Sequence, residues 1–117
     1  MEQKDLEERL ITFANQIIDI TEALPNSRAA IHLSGQLLRS GTSPALNYGE
    51  AQAAESRQDF LHKTKVVLKE LRETQVNLKL LHRRRYLATG QVDKALAECS
   101  ELVAIFTKSV STTRRNM

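Results

Sequence analysis

The stretch Arg39–Ala51, RSGTSPALNYGEA, decides whether this part of the chain forms one helix or two. Its segment Gly41–Pro44 has the composition of a loop. Pro44 has no N–H, and its ring would clash with the carbonyl group of Ser40 in a straight helix. With Ser43 as the N-cap, Pro44 would take the first position of a new helix. These local rules favour a break between two helices.

A polar stripe through the same stretch favours the opposite interpretation. Polar side chains recur at alternating steps of four and three residues, at Gln36, Ser40, Ser43, Asn47 and Glu50. Because a break would disturb that helical register, we predict one helix that is kinked near Gly41–Pro44. A Ser or Thr hydroxyl or water would then bond the carbonyl that the proline leaves free. We interpret the stripe as a structural contact with a neighbouring helix, and a ligand site is the alternative.

The other segments have the apolar spacing of amphipathic helices. Steps of four and three residues separate the apolar positions of 6–24, and similar spacing returns in 60–81 and 92–110. The short connections PNS and ATG favour antiparallel neighbours with shallow crossing angles. We therefore predict an all-α, antiparallel up-down four-helix bundle that forms a single domain over residues 1–117. Its helices should lie near 4–24, 27–54, 57–88 and 91–113.

Composition agrees with a helical domain inside the cell. Glycine (4), proline (2) and aromatic residues (4%) are scarce, which argues against a β-sandwich. Cys99 is the single cysteine, so no internal disulfide can form and a reducing compartment is indicated. The acidic N-terminal stretch does not have the pattern of a signal peptide, and no apolar run approaches the ~20 residues of a membrane span. We expect a cytoplasmic protein with no membrane partner.

Charge is distributed unevenly along the chain. Residues 1–60 hold 5 Lys/Arg and 9 Asp/Glu, a net charge of −4, whereas residues 61–117 hold 12 and 5, a net charge of +7. Basic residues follow one face of helix three and continue past it, with more at the C-terminus in Arg114 and Arg115. The candidate nucleic-acid-binding residues for RNA or DNA are Lys65, Lys69, Arg72, Lys79, Arg83, Arg84 and Arg85.

An ordinary solvated helix face is the alternative to a nucleic-acid site. Charged helix faces are common, and Lys69 could pair with Glu73 four residues later. The basic stripe contains no aromatic residue, and Tyr86 is the nearest ring. The sequence therefore does not predict base stacking.

Some apolar residues lie off the main core stripes. These residues are Ile11, Ile18, Val66, Val76 and Leu80. A monomer with a narrow core would leave them in contact with water. Either the core is wide, or these residues line a subunit interface.

The sequence shows none of the common patterns of an enzyme. His32, His62 and His82 lack metal-ligand spacing, and no Glu-x-x-His pair accompanies Glu70 and Glu73. Cys99 lies on the core stripe, so we interpret it as a small buried apolar residue. We expect no catalytic residue, metal, cofactor or small-molecule substrate.

Several motifs together resemble a known bacterial family. One group comprises Leu24–Pro25, Leu33, Gln36, Leu37, Arg39, Ser40, Ser43, Asn47 and Glu50. Another comprises DFL at 59–61, LKELRET at 68–74 and YL at 86–87. They are similar to the four-helix-bundle proteins encoded in intervening sequences of 23S ribosomal RNA genes, over roughly Leu6 to Leu102. Family members usually have Asn-Ile-Ala-Glu-Gly at 47–51, where this chain has Asn-Tyr-Gly-Glu-Ala. Their frequent proline lies one position after Pro44, so the resemblance does not decide whether the kink is at Gly41 or at Pro44.

The resemblance implies an antiparallel four-helix bundle that assembles into a ring, commonly of five subunits. The family has no established catalytic activity. A related bundle acts beside reverse transcriptases of diversity-generating retroelements and binds nucleic acid, and this chain matches that group no better than the first. We therefore expect a homo-oligomer, with a pentamer favoured and the off-stripe apolar residues in its interface. The leading functional hypothesis is a non-catalytic scaffold that binds RNA or DNA, and a protein-binding or purely structural scaffold is its alternative.

Overall fold

The chain folds into four α-helices, in a computed structural model that describes residues 3–88 and 90–117. The helices are α1 (Gln3–Ala23), α2 (Arg28–Gln52), α3 (Arg57–Arg84) and α4 (Gln91–Arg115). Each helix packs on its neighbours in sequence, α4 packs on α1, and the body measures 46 × 21 × 20 Å. The described residues contain no strand, so the predicted all-α four-helix bundle is confirmed. None of the helices that the structure describes is long and apolar enough to cross a bilayer.

The bundle core consists of the apolar stripes of the four helices. Phe13 and Ile17 of α1, Leu71 of α3 and Phe106 of α4 are fully buried. Tyr48 of α2 meets Phe106 edge to face, with 5.5 Å between ring centroids. An edge-to-face aromatic pair at this spacing stabilises the core beyond the contribution from burying the two rings. Each helix therefore contributes one apolar face to a common core.

Cys99 lies within this core, as its place on the α4 stripe predicts. Its side chain is fully buried, and its Sγ donates to the carbonyl oxygen of Leu71 at 3.3 Å. Burial is the largest cause that raises the pKa of the thiol, to about 12, with Glu98 nearby adding to the effect. The thiol therefore stays neutral and acts as a small apolar residue.

Helix α2 runs without interruption through Pro44, so the interpretation of this segment as one helix is confirmed. Ser27, not Ser43, is its N-cap, and the Ser27 Oγ accepts from the backbone N–H of Ala30 at 3.2 Å. Near the proline, the Thr42 hydroxyl donates to the carbonyl oxygen of Leu38 at 2.7 Å. A kink in α2 stays a prediction.

Gly41 brings α2 into close contact with α1. A Cβ atom at this position would lie 2.6 Å from Cγ2 and 2.7 Å from Cγ1 of Ile17. Real Cβ atoms do not approach other carbons so closely, because non-bonded carbon atoms repel each other well inside their optimal separation of roughly 3.5–4.0 Å. Gly41 of the opening stretch is therefore explained by helix packing rather than by a loop.

Helix α3 ends at Arg84, four residues before the predicted end at 88. Arg85 caps the helix in the left-handed conformation, with a φ of 54°. Beyond it, Tyr86 and Leu87 are partly buried and pack against the core. The chain leaves the helix early because these two apolar side chains turn back onto the bundle.

Candidate functional site

A groove of about 860 Å³ lies along the outer face of α3, and we call it the α3 groove. Helix α3 supplies most of its lining, while α2 and α4 supply its sides. Its basic lining residues are Arg39, Lys65, Lys69, Arg72 and Arg114. Its apolar lining residues are Leu68, Val76 and Val110, and Glu73 is the one acidic residue among those that line it. The groove thus combines three apolar side chains, which we call its apolar floor, with basic side chains from three helices.

The structure brings together some of the predicted basic residues and separates others. Lys65, Lys69 and Arg72 line the groove. Lys79, Arg83 and Arg84 are exposed farther along α3 and do not line it. Arg84 lies over the Tyr86 ring, 5.6 Å from the centroid. Arg85 belongs to a separate cavity of about 330 Å³ at the α3–α4 connection, because it lies past the end of the helix.

Arg39 is a groove residue that the sequence analysis did not assign to the basic site. Its guanidinium bonds Oε2 of Glu70 at 3.4 Å and Oε2 of Glu73 at 3.2 Å. The pairing of Lys69 with Glu73, which would make the stripe an ordinary solvated face, does not form because Glu73 bonds Arg39 instead. In the sequence, this contact is indicated by the Glu70–Glu73 pair beside the basic stripe. Two carboxylates one turn apart repel each other, so a nearby cation stabilises them.

The three basic α3 residues of the groove have no acidic partner in the part of the chain that the structure describes. Among residues 3–88 and 90–117, the observed ion pairs include none that involve Lys65, Lys69 or Arg72. All three side chains are exposed. Their positive charge is therefore available to an external anion and is not consumed in holding the bundle together.

The polar stripe of α2 has a different environment, because it lies along α3. The Ser40 Oγ is fully buried and accepts from the Thr74 hydroxyl at 2.9 Å and from Asn77 Nδ2 at 3.5 Å. At the other end, Glu50 pairs with Lys63 Nζ at 2.7 Å. Ser40 and Glu50 thus find their partners within the protein.

Two members between these ends bond each other within α2. Asn47 Nδ2 donates to the Ser43 Oγ at 2.7 Å and to the Ser43 carbonyl oxygen at 3.0 Å. Gln36, at the start of the stripe, lines the α3 groove. Only Gln36 of this stripe reaches the candidate site.

The residues expected at a subunit interface fall into different environments. Ile11, Val76 and Leu80 are 40%, 57% and 45% exposed, whereas Ile18 and Val66 are half-buried. Val76 lines the α3 groove among the basic residues, so the two predicted sites overlap there. Three further apolar residues that were not among those predicted are exposed on α2, and they are Ile31, Leu38 and Leu46.

The three histidines are dispersed. His32 and His62 are exposed, and Nδ1 of His82 lies 2.8 Å from Oδ1 of Asp93. Within the part of the chain that the structure describes, no three His, Cys, Asp or Glu side chains are grouped as a metal site would require. The α3 groove is therefore the candidate site with the clearest chemical character.

Comparisons with known proteins place the chain in a family. The family model for the 23S rRNA-intervening sequence protein matches residues 2–108. A solved structure from Bacteroides thetaiotaomicron, a protein of unknown function from the S23 ribosomal protein family, is 32% identical, with a TM-score of 0.85. The match covers 95% of this chain and 99% of that one. No curated protein matches the chain. The resemblance noted in the sequence is thus confirmed, and the chain belongs to the 23S rRNA-intervening sequence protein family.

Proposed function

We propose that this protein is a non-catalytic four-helix bundle that binds RNA or DNA by holding the phosphate backbone in the α3 groove. One observation carries the proposal. Lys65, Lys69 and Arg72 converge in one groove, and no carboxylate of the described residues neutralises them. Phosphate is the anion that a nucleic acid presents repeatedly, so it suits a row of unpaired cations.

The length of the basic surface supports a polymeric ligand rather than a small anion. Lys65 and Arg83 are separated by 18 residues of one helix, which corresponds to about 27 Å at a rise of 1.5 Å per residue. Several phosphates of one strand can be contacted along that length. Each contact releases counterions, so the free energy of binding comes largely from salt release.

Phosphate contacts position a ligand without reading its sequence. Wild-type protein should therefore bind RNA and DNA of unrelated sequences with similar affinity, and log K should fall linearly with log salt concentration. Fluorescence anisotropy with labelled oligonucleotides at a series of salt concentrations measures both properties. Failure to bind any oligonucleotide at low salt would refute the proposal.

A self-associating scaffold with no nucleic-acid role is the second candidate function. Val76 and Leu80 favour it, because both are exposed and lie one turn apart on α3, and exposed apolar residues that cluster are normally covered. Ile11 is a further exposed apolar residue, on α1. A closed ring is the common way to cover such a surface, and five subunits is the number expected from the resemblance. A neighbouring subunit seated on Val76 would also cover the basic residues around it.

Sedimentation velocity tests self-association directly. A closed oligomer at micromolar concentration is expected, and Val76→Asp or Leu80→Asp should dissociate it without unfolding the subunit. Both residues are exposed in the subunit, so circular dichroism should be unchanged. A wild-type protein that sediments as a monomer would eliminate this candidate.

A further inference from the structure

The floor of the α3 groove is apolar, and phosphate binding gives no reason for this. Leu68 is half-buried and Val76 is exposed, and both line the groove between the basic side chains. Val110 of α4, which is buried, also lines the groove. A phosphate oxygen gains nothing from these side chains, so a ligand that uses the whole groove must also bring an apolar surface.

The faces of nucleic-acid bases are such a surface, but only in a single strand. In a duplex, stacking hides the base faces and leaves the phosphates and the base edges in the grooves accessible. In a single strand, unstacked bases can turn toward the protein while the backbone stays on the cations. Because none of the described residues that line the groove is aromatic, each base would gain an aliphatic contact that is weaker than aromatic stacking.

The shape of the groove favours a single strand for an independent reason. The bundle is a rod about 20 Å across, and the groove runs along the outside of one helix. A line drawn along the surface of a duplex, parallel to the duplex axis, meets the phosphate backbone only where one of the two strands crosses that line. Between these crossings lie the grooves, which are about 12 and 6 Å wide in B-form DNA. A flexible single strand can instead follow the helix and place a phosphate beside each cation.

We propose that the α3 groove binds single-stranded RNA or DNA in preference to duplex. Lys65, Lys69 and Arg72 hold successive phosphates, and Val76 and Leu68 contact base faces. This inference rests on the proposed function, since it specifies the class of nucleic acid that the same groove takes.

The test compares single strands of about 20 nucleotides with the duplex made by annealing each strand to its complement. This length exceeds the roughly 4–16 nucleotides of typical single-strand binding sites. Anisotropy should show the single strand bound about tenfold more tightly at the same salt concentration. Equal or tighter binding of the duplex would overturn this inference and leave the proposed function standing. No binding of either ligand would overturn both.

A matched pair of variants tests the apolar floor. Val76→Gln removes an apolar contact from the groove, whereas Leu46→Gln makes a similar change at a 70% exposed position of α2 that does not line the groove. Val76→Gln should weaken single-strand binding about fivefold, with the slope of log K against log salt unchanged. Leu46→Gln should bind as wild type does. Equal affinities of the two variants would show that base faces do not contact the floor, and would refute the inference.

Discussion

The polar stripe of α2 and the basic stripe of α3 have the same helical spacing, but they differ in whether their side chains have partners within the protein. Ser40 is buried and accepts two hydrogen bonds from α3, and Glu50 pairs with Lys63. Lys65, Lys69 and Arg72 are exposed in a groove, and no carboxylate of the described residues pairs with them. Periodicity identifies a face of a helix. Whether the polar groups on that face are satisfied internally then distinguishes a structural contact from a candidate binding surface.

Ser40→Leu should have the largest effect on stability and little effect on nucleic-acid binding. The larger side chain has no room at a fully buried position, and Asn77 loses its hydrogen-bond acceptor. We expect the free energy of unfolding to fall by about 2–3 kcal/mol, measured by urea denaturation. Ser40→Ala is the control, because it removes the hydroxyl without adding volume and should cost about 1 kcal/mol. A fully stable Ser40→Leu protein would show that this contact between α2 and α3 is not structural.

Gly41→Ala should have the next largest effect, on the side of α2 that faces α1. The new Cβ would lie 2.6 Å from Ile17 Cγ2, so the helices must separate or Ile17 must move. We expect a loss of about 1–2 kcal/mol, because overpacking outweighs the usual gain from replacing a helical glycine.

Gly35→Ala provides the matched control for Gly41→Ala. Gly35 lies in the same helix, and a Cβ there would meet none of the described residues within 4 Å. This variant should gain about 0.5–1 kcal/mol from the higher helix propensity of alanine. Thermal unfolding that shifts both variants in the same direction would contradict the close contact between α1 and α2.

Arg39→Ala should have a smaller effect on stability, but it acts on both stripes. Arg39 is exposed in the groove and bonds Glu70 and Glu73, so its removal leaves the buried Glu70 and the groove residue Glu73 without this cation. Because the guanidinium is largely in water, we expect stability to fall by no more than about 1 kcal/mol. RNA affinity should fall severalfold in an anisotropy assay, since the groove loses a cation and becomes more acidic.

The conservative variant Arg39→Lys distinguishes the effect of the positive charge at this position from the effect of the guanidinium geometry. Lysine keeps the positive charge but cannot match the fork of the guanidinium between two carboxylates. We expect RNA affinity close to that of wild type with a small loss of stability. If Arg39→Ala binds RNA as tightly as wild type, the ligand does not occupy this end of the groove.

The sequence predicts the fold well because burial imposes helical spacing on apolar residues. The stripe of α1 and the uninterrupted register through Pro44 are both visible in a single sequence. Two other features are set by contacts between distant residues. The first is the contact of Arg39 with Glu73, which lie 34 positions apart. The second is the end of α3 at Arg84, which depends on the packing of Tyr86 and Leu87 onto the core rather than on helix propensity alone. The basic stripe was therefore predictable, whereas the groove that Arg39 and Arg114 complete was not.

The most direct test of the central claim is the affinity of the triple variant Lys65→Glu, Lys69→Glu, Arg72→Glu for RNA across a salt series. The unfolding transition should be nearly unchanged, because exposed helix charges contribute little to stability. We expect affinity at low salt to fall at least about a hundredfold, for every RNA sequence alike, and the salt dependence to become shallower. If the folded triple variant binds RNA as tightly as wild type does, the basic stripe is an ordinary solvated face, and the self-associating scaffold becomes the leading account.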